Sequence, residues 1–128
     1  QANGLSLTPS RMSCSLVADI AKSLERASRP GYDGPAMTLR FGHAETLMPL
    51  LSQLDVPGCR YVTTDWQSVA EHWHDYEIVP MAANLQLLLM RSKDSDRMYV
   101  QTLHNEKPAM PLMTYSQAVE WLEQSLSR

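Results

Sequence analysis

The sequence predicts an α/β sandwich in which a mixed sheet is flanked by helices. Three observations favour this class: an amphipathic helical pattern near the start, alternating apolar residues in short later segments, and a second amphipathic pattern at the end. The predicted order is helix, strand, helix, two antiparallel strands and helix. We therefore expect one sheet with an antiparallel edge, covered by helices.

The first elements are a helix and a strand separated by a loop. Apolar residues at helical spacing predict a helix from Arg11 to Ser28, with its charged residues mainly on the other face. Two prolines and two glycines predict a loop from Arg29 to Pro35. Large apolar side chains alternate from Ala36 to Gly42, which predicts a strand.

A second helical pattern runs from His43 to Leu54 and contains Pro49. Proline is tolerated in the first turn of a helix and otherwise produces a kink. We therefore expect this helix to begin near Glu45 or Thr46, or to be kinked.

The second half of the chain contains a predicted β-hairpin. The stretch from Arg60 to Tyr76 is ambiguous, with a short helix as one interpretation. Glu77 to Val79 and Asn84 to Met90 have strand-like composition. A polar turn from Ser92 to Asp96 precedes the predicted return strand, Met98 to Leu103.

The final segment predicts a helix from Ser116 to Leu126, after an extended stretch that contains two prolines. Ser116 is the expected N-cap because its hydroxyl can accept a hydrogen bond from a free amide. The expected apolar face consists of Val119, Leu122 and Leu126.

Composition excludes several classes of function. The net charge is −3 and no basic stripe is present, which argues against nucleic acid as a partner. The longest apolar run is far shorter than the ~20 residues of a membrane span. No CxxC motif is present, which disfavours structural zinc, and spacing leaves open whether Cys14 and Cys59 form a disulfide.

The most informative local feature is Arg40-Phe41-Gly42-His43-Ala44-Glu45-Thr46, between a predicted strand and a predicted helix. The amides and the dipole at a helix N-terminus favour an anion, and Gly42 would allow close approach of the backbone. His43 could donate a hydrogen bond to a phosphoryl oxygen, and Glu45 could protonate a leaving alkoxide. From these residues alone, a structural His and a Glu that stabilises the helix start is the stronger interpretation.

The segment from Leu39 to Leu51 resembles the second signature of the histidine phosphatase superfamily, in the His-Ala-Glu form typical of multiple inositol polyphosphate phosphatases. Two further segments, Ile78 to Leu85 and Val100 to Pro108, resemble later parts of the same family in the same order. The resemblance implies that His43 binds phosphate and that Glu45 donates the proton. It also implies that the substrates are inositol polyphosphates, including phytate. The implied location is periplasmic or secreted, and the family needs no metal or organic cofactor.

The family's nucleophile is another His, in an Arg-His-Gly-x-Arg motif that these 128 residues do not contain. A phosphohistidine intermediate requires that nucleophile. Because the chain begins at Gln1 and shows no signal peptide, we expect it to be a cut chain. The resemblance implies that residues 1–128 are the C-terminal segment of a histidine phosphatase. Its expected partner is the N-terminal remainder of the same polypeptide. The alternatives are a non-catalytic phosphoanion-binding or interaction domain, and an acid phosphatase of another substrate class.

Other polar residues are weaker candidates for the site. Arg40, Ala44 and Asn105 are the expected substrate contacts. Arg40 could reach phosphate, but in a strand its side chain could equally point to the opposite face. Asn105 and Glu106 are expected to order the turn beside the site. His104 is expected to end a strand. His72-Trp73-His74 contains a His-x-His pair, but zinc would need a third ligand, so a solvated loop or surface strand is favoured.

Overall fold

The computed structural model describes residues 12–128. The helices are α1 Cys14–Ser28, α2 Ala44–Gln53, α3 Val69–His72, α4 Asp75–Ile78 and α5 Tyr115–Leu126, with a 3₁₀ turn at Trp66–Ser68. The strands are β1 Leu85–Arg91, β2 Met98–His104, β3 Lys107–Pro108 and β4 Met113–Thr114. The α/β class is therefore confirmed, and every strand pairing in the described part of the chain is antiparallel.

Helix α1 follows the amphipathic pattern of its sequence. Val17 and Leu24 are buried on one face, while the charged residues face solvent. Arg29 ends the helix in an extended conformation because the residue before a proline is disfavoured from helical geometry. Gly31 then takes a left-handed φ of 71°. The helix begins at Cys14, and Arg11, where the predicted helix began, lies outside the described residues.

The strand predicted from Ala36 to Gly42 is wrong for the described structure. These residues form no ladder, and Met37, Leu39 and Phe41 are 72%, 65% and 93% exposed. The alternation of apolar residues is present in the sequence, but a strand also requires a hydrogen-bonded neighbour. No segment among residues 12–128 pairs with this one.

Helix α2 begins at Ala44, slightly before the predicted start, and continues through Pro49 to Gln53. It ends in a Schellman motif in which Asp55 has a φ of 55°. The amide of Val56 donates to the carbonyl of Leu51 over 3.0 Å. Because Leu51 and Val56 are both buried, this turn directs the chain back into the core.

The ambiguous middle segment forms short helices, and the strand expected at Glu77 to Val79 is wrong. The carbonyl of His74 accepts hydrogen bonds from the amides of Glu77 at 3.1 Å and Ile78 at 3.3 Å, which closes a helical turn. A short apolar run does not distinguish helix from strand, and here the buried side chain of Ile78 packs from a helix.

The predicted hairpin is present. Strands β1 and β2 pair from Leu85↔His104 to Arg91↔Met98, and the amide of Ser92 donates to the carbonyl of Arg97 over 2.9 Å in the turn. Strand β2 is central, with β1 on one side and the two short strands on the other.

Helix α5 is one residue longer than predicted and has a different N-cap. Thr114, not Ser116, caps it, in a capping box with Gln117. The expected apolar face is also partly wrong, since Leu126 is 38% exposed. Of the expected face only Leu122 is fully buried. The buried residues of α5 lie at spacings of three and four: Ala118, Trp121, Leu122 and Ser125.

The core lies between α1, α2, α5 and the hairpin. Helix α5 is joined to the end of α2 by two buried hydrogen bonds. The indole Nε1 of Trp121 donates to the carbonyl of Leu54 over 2.8 Å, and the Gln53 amide donates to the carbonyl of Ser125. The buried apolar residues are Val17, Leu24, Leu50, Leu51, Leu54, Val56, Cys59, Ile78, Val100, Ala118, Trp121 and Leu122.

Candidate active site

His43 is the N-cap residue of helix α2. Its backbone is extended, with φ −104° and ψ 170°, and its carbonyl accepts hydrogen bonds from Thr46 at 3.0 Å and Leu47 at 3.1 Å. Its imidazole forms no cap hydrogen bond and is exposed. The ring is therefore available to a ligand at the start of the helix.

The first amides of α2 are also available. Within residues 12–128, the amides of Ala44 and Glu45 have no hydrogen-bond partner. Free amides at the start of a ten-residue helix favour an anion, because they add to the positive end of the helix dipole. Glu45 is exposed in this first turn, next to where such an anion would bind.

Arg40 lies three residues before His43, but its guanidinium contacts helix α1. Its Nε and Nη2 donate to Oδ2 of Asp19 at 3.0 Å and 2.6 Å, and Nη2 also donates to Oγ of Ser23 at 2.8 Å. The hydrogen bond from Arg40 is the main reason why the pKa of Asp19 lies below its ordinary value. The lowered pKa favours the ionised form of the Asp19 carboxyl group.

Asn105 occupies the tight turn between β2 and β3. Asn105 and Glu106 have φ values of 49° and 67°, as a two-residue turn of this type requires. The side chain of Asn105 accepts from the amide of Asn84 at 3.1 Å and donates to the carbonyl of Ile78 at 3.1 Å. Over the described part of the chain, no hydrogen bond joins Asn105 to His43.

His104 ends strand β2, as predicted, and its ring lies between two partners. Nε2 donates to the carbonyl of Ile78 over 2.7 Å, and Nδ1 lies 3.7 Å from Sγ of Cys59. Burial raises the pKa of the Cys59 thiol to about 11. Cys59 and the half-buried Cys14 are both free thiols.

The two histidines of the His-x-His pair have separate structural partners. The ring of His72 stacks on Tyr61 and contacts the carbonyl of Ser68 at 2.9 Å. His74 stacks on Tyr76 and lies 2.9 Å from the carbonyl of Ala70. No group of three metal-binding side chains comes together between residues 12 and 128.

Comparison with known proteins identifies the family. The model of the histidine phosphatase superfamily (branch 2) matches residues 8–105, which include His43, Ala44, Glu45 and Asn105. This chain belongs to the histidine phosphatase superfamily.

This chain is also similar to multiple inositol polyphosphate phosphatase 1 from Homo sapiens. The two are 32% identical over an alignment 125 residues long, and the match covers 89% of this chain. The chain spans only 26% of the length of that human protein. None of the helices described here is both long enough and apolar enough to cross a membrane.

Sequence reasoning missed the contacts of Arg40 with Asp19 and Ser23. The two α1 residues are four positions apart and share one helix face, which the sequence does show. Their partner lies 21 residues after Asp19, beyond a loop, and no local pattern predicts that pairing.

Proposed function

We propose that this chain is part of a histidine phosphatase that hydrolyses phosphomonoesters, with His43 binding the phosphoryl group and Glu45 protonating the leaving oxygen. The observation that supports this most is the start of helix α2. There an exposed imidazole, two free amides and a carboxyl group lie on consecutive residues. Family membership makes an enzyme the preferred function for such an arrangement.

In the proposed reaction, a histidine of an Arg-His-Gly segment outside these 128 residues attacks phosphorus. The bond from phosphorus to the alkoxide breaks as a nitrogen–phosphorus bond forms, and Glu45 gives its proton to the departing oxygen. Water then hydrolyses the phosphohistidine and releases phosphate. The amide of Ala44 and the ring of His43 offset the charge on the phosphoryl oxygens in both steps.

We propose inositol polyphosphates, including phytate, as the substrate class. The support is the name of the human relative, together with the His-Ala-Glu form of the motif. A periplasmic or secreted location is part of the same proposal and rests on the family resemblance. Asn105 stays a predicted substrate contact, although its side chain is bonded within the turn.

The proposed partner is the remainder of the same polypeptide, and segment 36–42 is where we place the contact. Its exposed side chains Met37, Leu39 and Phe41 alternate along the sequence, as in a strand that buries one face. Pairing with a strand from elsewhere in the protein would satisfy the backbone and remove these side chains from water. Intact mass under denaturing conditions will show whether a companion chain accompanies this one.

The test of function uses the complete polypeptide and two substrates. Glu45→Gln should lower kcat on phytate by about 10²–10⁴-fold, because the leaving alkoxide then departs without a proton. On p-nitrophenyl phosphate the loss should be much smaller, since nitrophenolate needs no proton to leave. Glu123→Gln, at another exposed glutamate, is the matched control and should leave both rates unchanged.

Three outcomes would contradict the proposal. Equal loss on the two substrates would show that Glu45 does not protonate the leaving group. Full activity of His43→Ala would show that the imidazole of His43 does not bind the phosphoryl group. An unmodified protein that binds phytate without hydrolysing it would favour the non-catalytic phosphoanion-binding domain.

A further inference from the structure

Arg40 makes a three-way contact with helix α1. Two of its nitrogens donate to the same carboxylate oxygen of Asp19, at 3.0 Å and 2.6 Å. One of them also donates to Oγ of Ser23 at 2.8 Å, while that hydroxyl donates its own hydrogen to the carbonyl of Asp19 at 2.9 Å. The guanidinium is therefore held on one face of α1 and its charge is matched by a carboxylate.

This contact matters because, within residues 12–128, little else holds the neighbouring backbone. From Ala36 to Gly42 every residue is exposed, and no backbone hydrogen bond joins these residues to another part of the described chain. The side chain of Arg40 makes the hydrogen bonds that connect this segment to a regular element. Three residues later, His43 begins α2.

We propose that Asp19 and Ser23 are positioning residues of the phosphatase site, which act through Arg40 to fix the segment that leads to His43. Arg40 then holds this segment and does not bind phosphate. Its Nε and Nη2 are already bonded, and the adjacent carboxylate would repel a phosphate dianion. This inference rests on the proposed function of His43.

Position controls rate in such a site because a displacement of about 1 Å can lower activity by on the order of 10²-fold. Asp19→Ala and Arg40→Ala should therefore each lower kcat/KM for phytate in the complete polypeptide, by roughly 10- to 100-fold. The double variant should be no worse than either single variant, since both remove the same contact. Combining Asp19→Arg with Arg40→Asp should recover most of the loss.

A phosphate-binding role for Arg40 gives a different pattern. Arg40→Ala would then raise KM far more than Asp19→Ala does, and the charge exchange would stay inactive. Either result would overturn the inference. Glu25→Ala is the matched control, because Glu25 forms a comparable exposed pair with Arg29 on the same helix at 2.7 Å. It should change kcat/KM less than twofold.

A second measurement separates this inference from the proposed function. Chymotrypsin should cleave the 128-residue chain after Phe41, which is 93% exposed. Asp19→Ala and Arg40→Ala should increase the cleavage rate several-fold, and the charge exchange should restore it. An inactive unmodified protein that shows this pattern would refute only the proposed reaction. Equal cleavage of all variants would refute the positioning role, whatever the activity.

Discussion

Substitution of Trp121 by phenylalanine tests how the core holds helix α2. The indole Nε1 donates to the carbonyl of Leu54 over 2.8 Å, and Trp121 is only 7% exposed. Leaving that buried carbonyl without its donor costs about 1–3 kcal/mol. The smaller ring leaves a cavity that costs on the order of 1 kcal/mol more. We therefore expect Trp121→Phe to lower the free energy of unfolding by roughly 2–4 kcal/mol.

Urea unfolding followed by far-ultraviolet circular dichroism measures this loss. With a slope of about 2 kcal/mol per molar urea, the midpoint should fall by roughly 1–2 M. Trp66→Phe is the matched control, because Trp66 is 67% exposed and its substitution should change the free energy by less than about 0.5 kcal/mol. Equal midpoints for the two variants would refute the role given to the Trp121–Leu54 hydrogen bond.

Further substitutions test three local features of the structure. Thr114→Ala should lower the free energy of unfolding by about 1 kcal/mol because it removes the capping box of α5, whereas Ser116→Ala should be nearly neutral; thermal unfolding compares them. Glu106→Gly should raise the free energy of unfolding by about 0.5–1 kcal/mol, since its φ of 67° suits glycine; chemical unfolding measures this. Burial raises the pKa of Cys59 from 9.0 to about 11, so the unfolded thiol ionises first. The free energy of unfolding should therefore fall between pH 9 and about 11, by at most about 1.4 kcal/mol per pH unit. Cys59→Ala should lack this slope, and at pH 8 iodoacetamide should modify Cys14 faster than Cys59.

The contrary results are equally specific. A larger loss for Ser116→Ala than for Thr114→Ala would restore Ser116 as the N-cap. A destabilising Glu106→Gly would show that the carboxylate of Glu106 contributes more than the strain of its backbone. The same pH dependence in Cys59→Ala and the unmodified chain would assign the alkaline loss of stability to other groups.

The elements that sequence reasoning predicted correctly share one property. Helix α1, the hairpin from Leu85 to His104 and helix α5 are specified by periodic apolar residues, and each packs its apolar face against another described element. Such periodicity depends on residues a few positions apart, so it predicts an element even when the element against which it packs is unknown. The segment from Ala36 to Gly42 has an equally clear period, but a strand also depends on a neighbour.

The candidate site also has some features that the sequence predicts and others that it does not. The motif from Arg40 to Thr46 identifies a helix start with His43 and Glu45 from the sequence alone, and the structure has α2 starting there. The direction of the Arg40 side chain could not be predicted, because its partners belong to a helix 21 and 17 residues earlier. Similarly, the bonds that join Asn105 to Asn84 and Ile78 cross between elements.

The sequence by itself therefore determined the class of fold, the periodic elements and the family motif, since each depends on residues a few positions apart. Only the tertiary structure decided which of these residues meet. It directed Arg40 towards Asp19, joined Trp121 to the carbonyl of Leu54, and left Phe41 in solvent. The physical reason is that side chains interact only when they are close in space, and the packing of the whole chain determines which side chains are close.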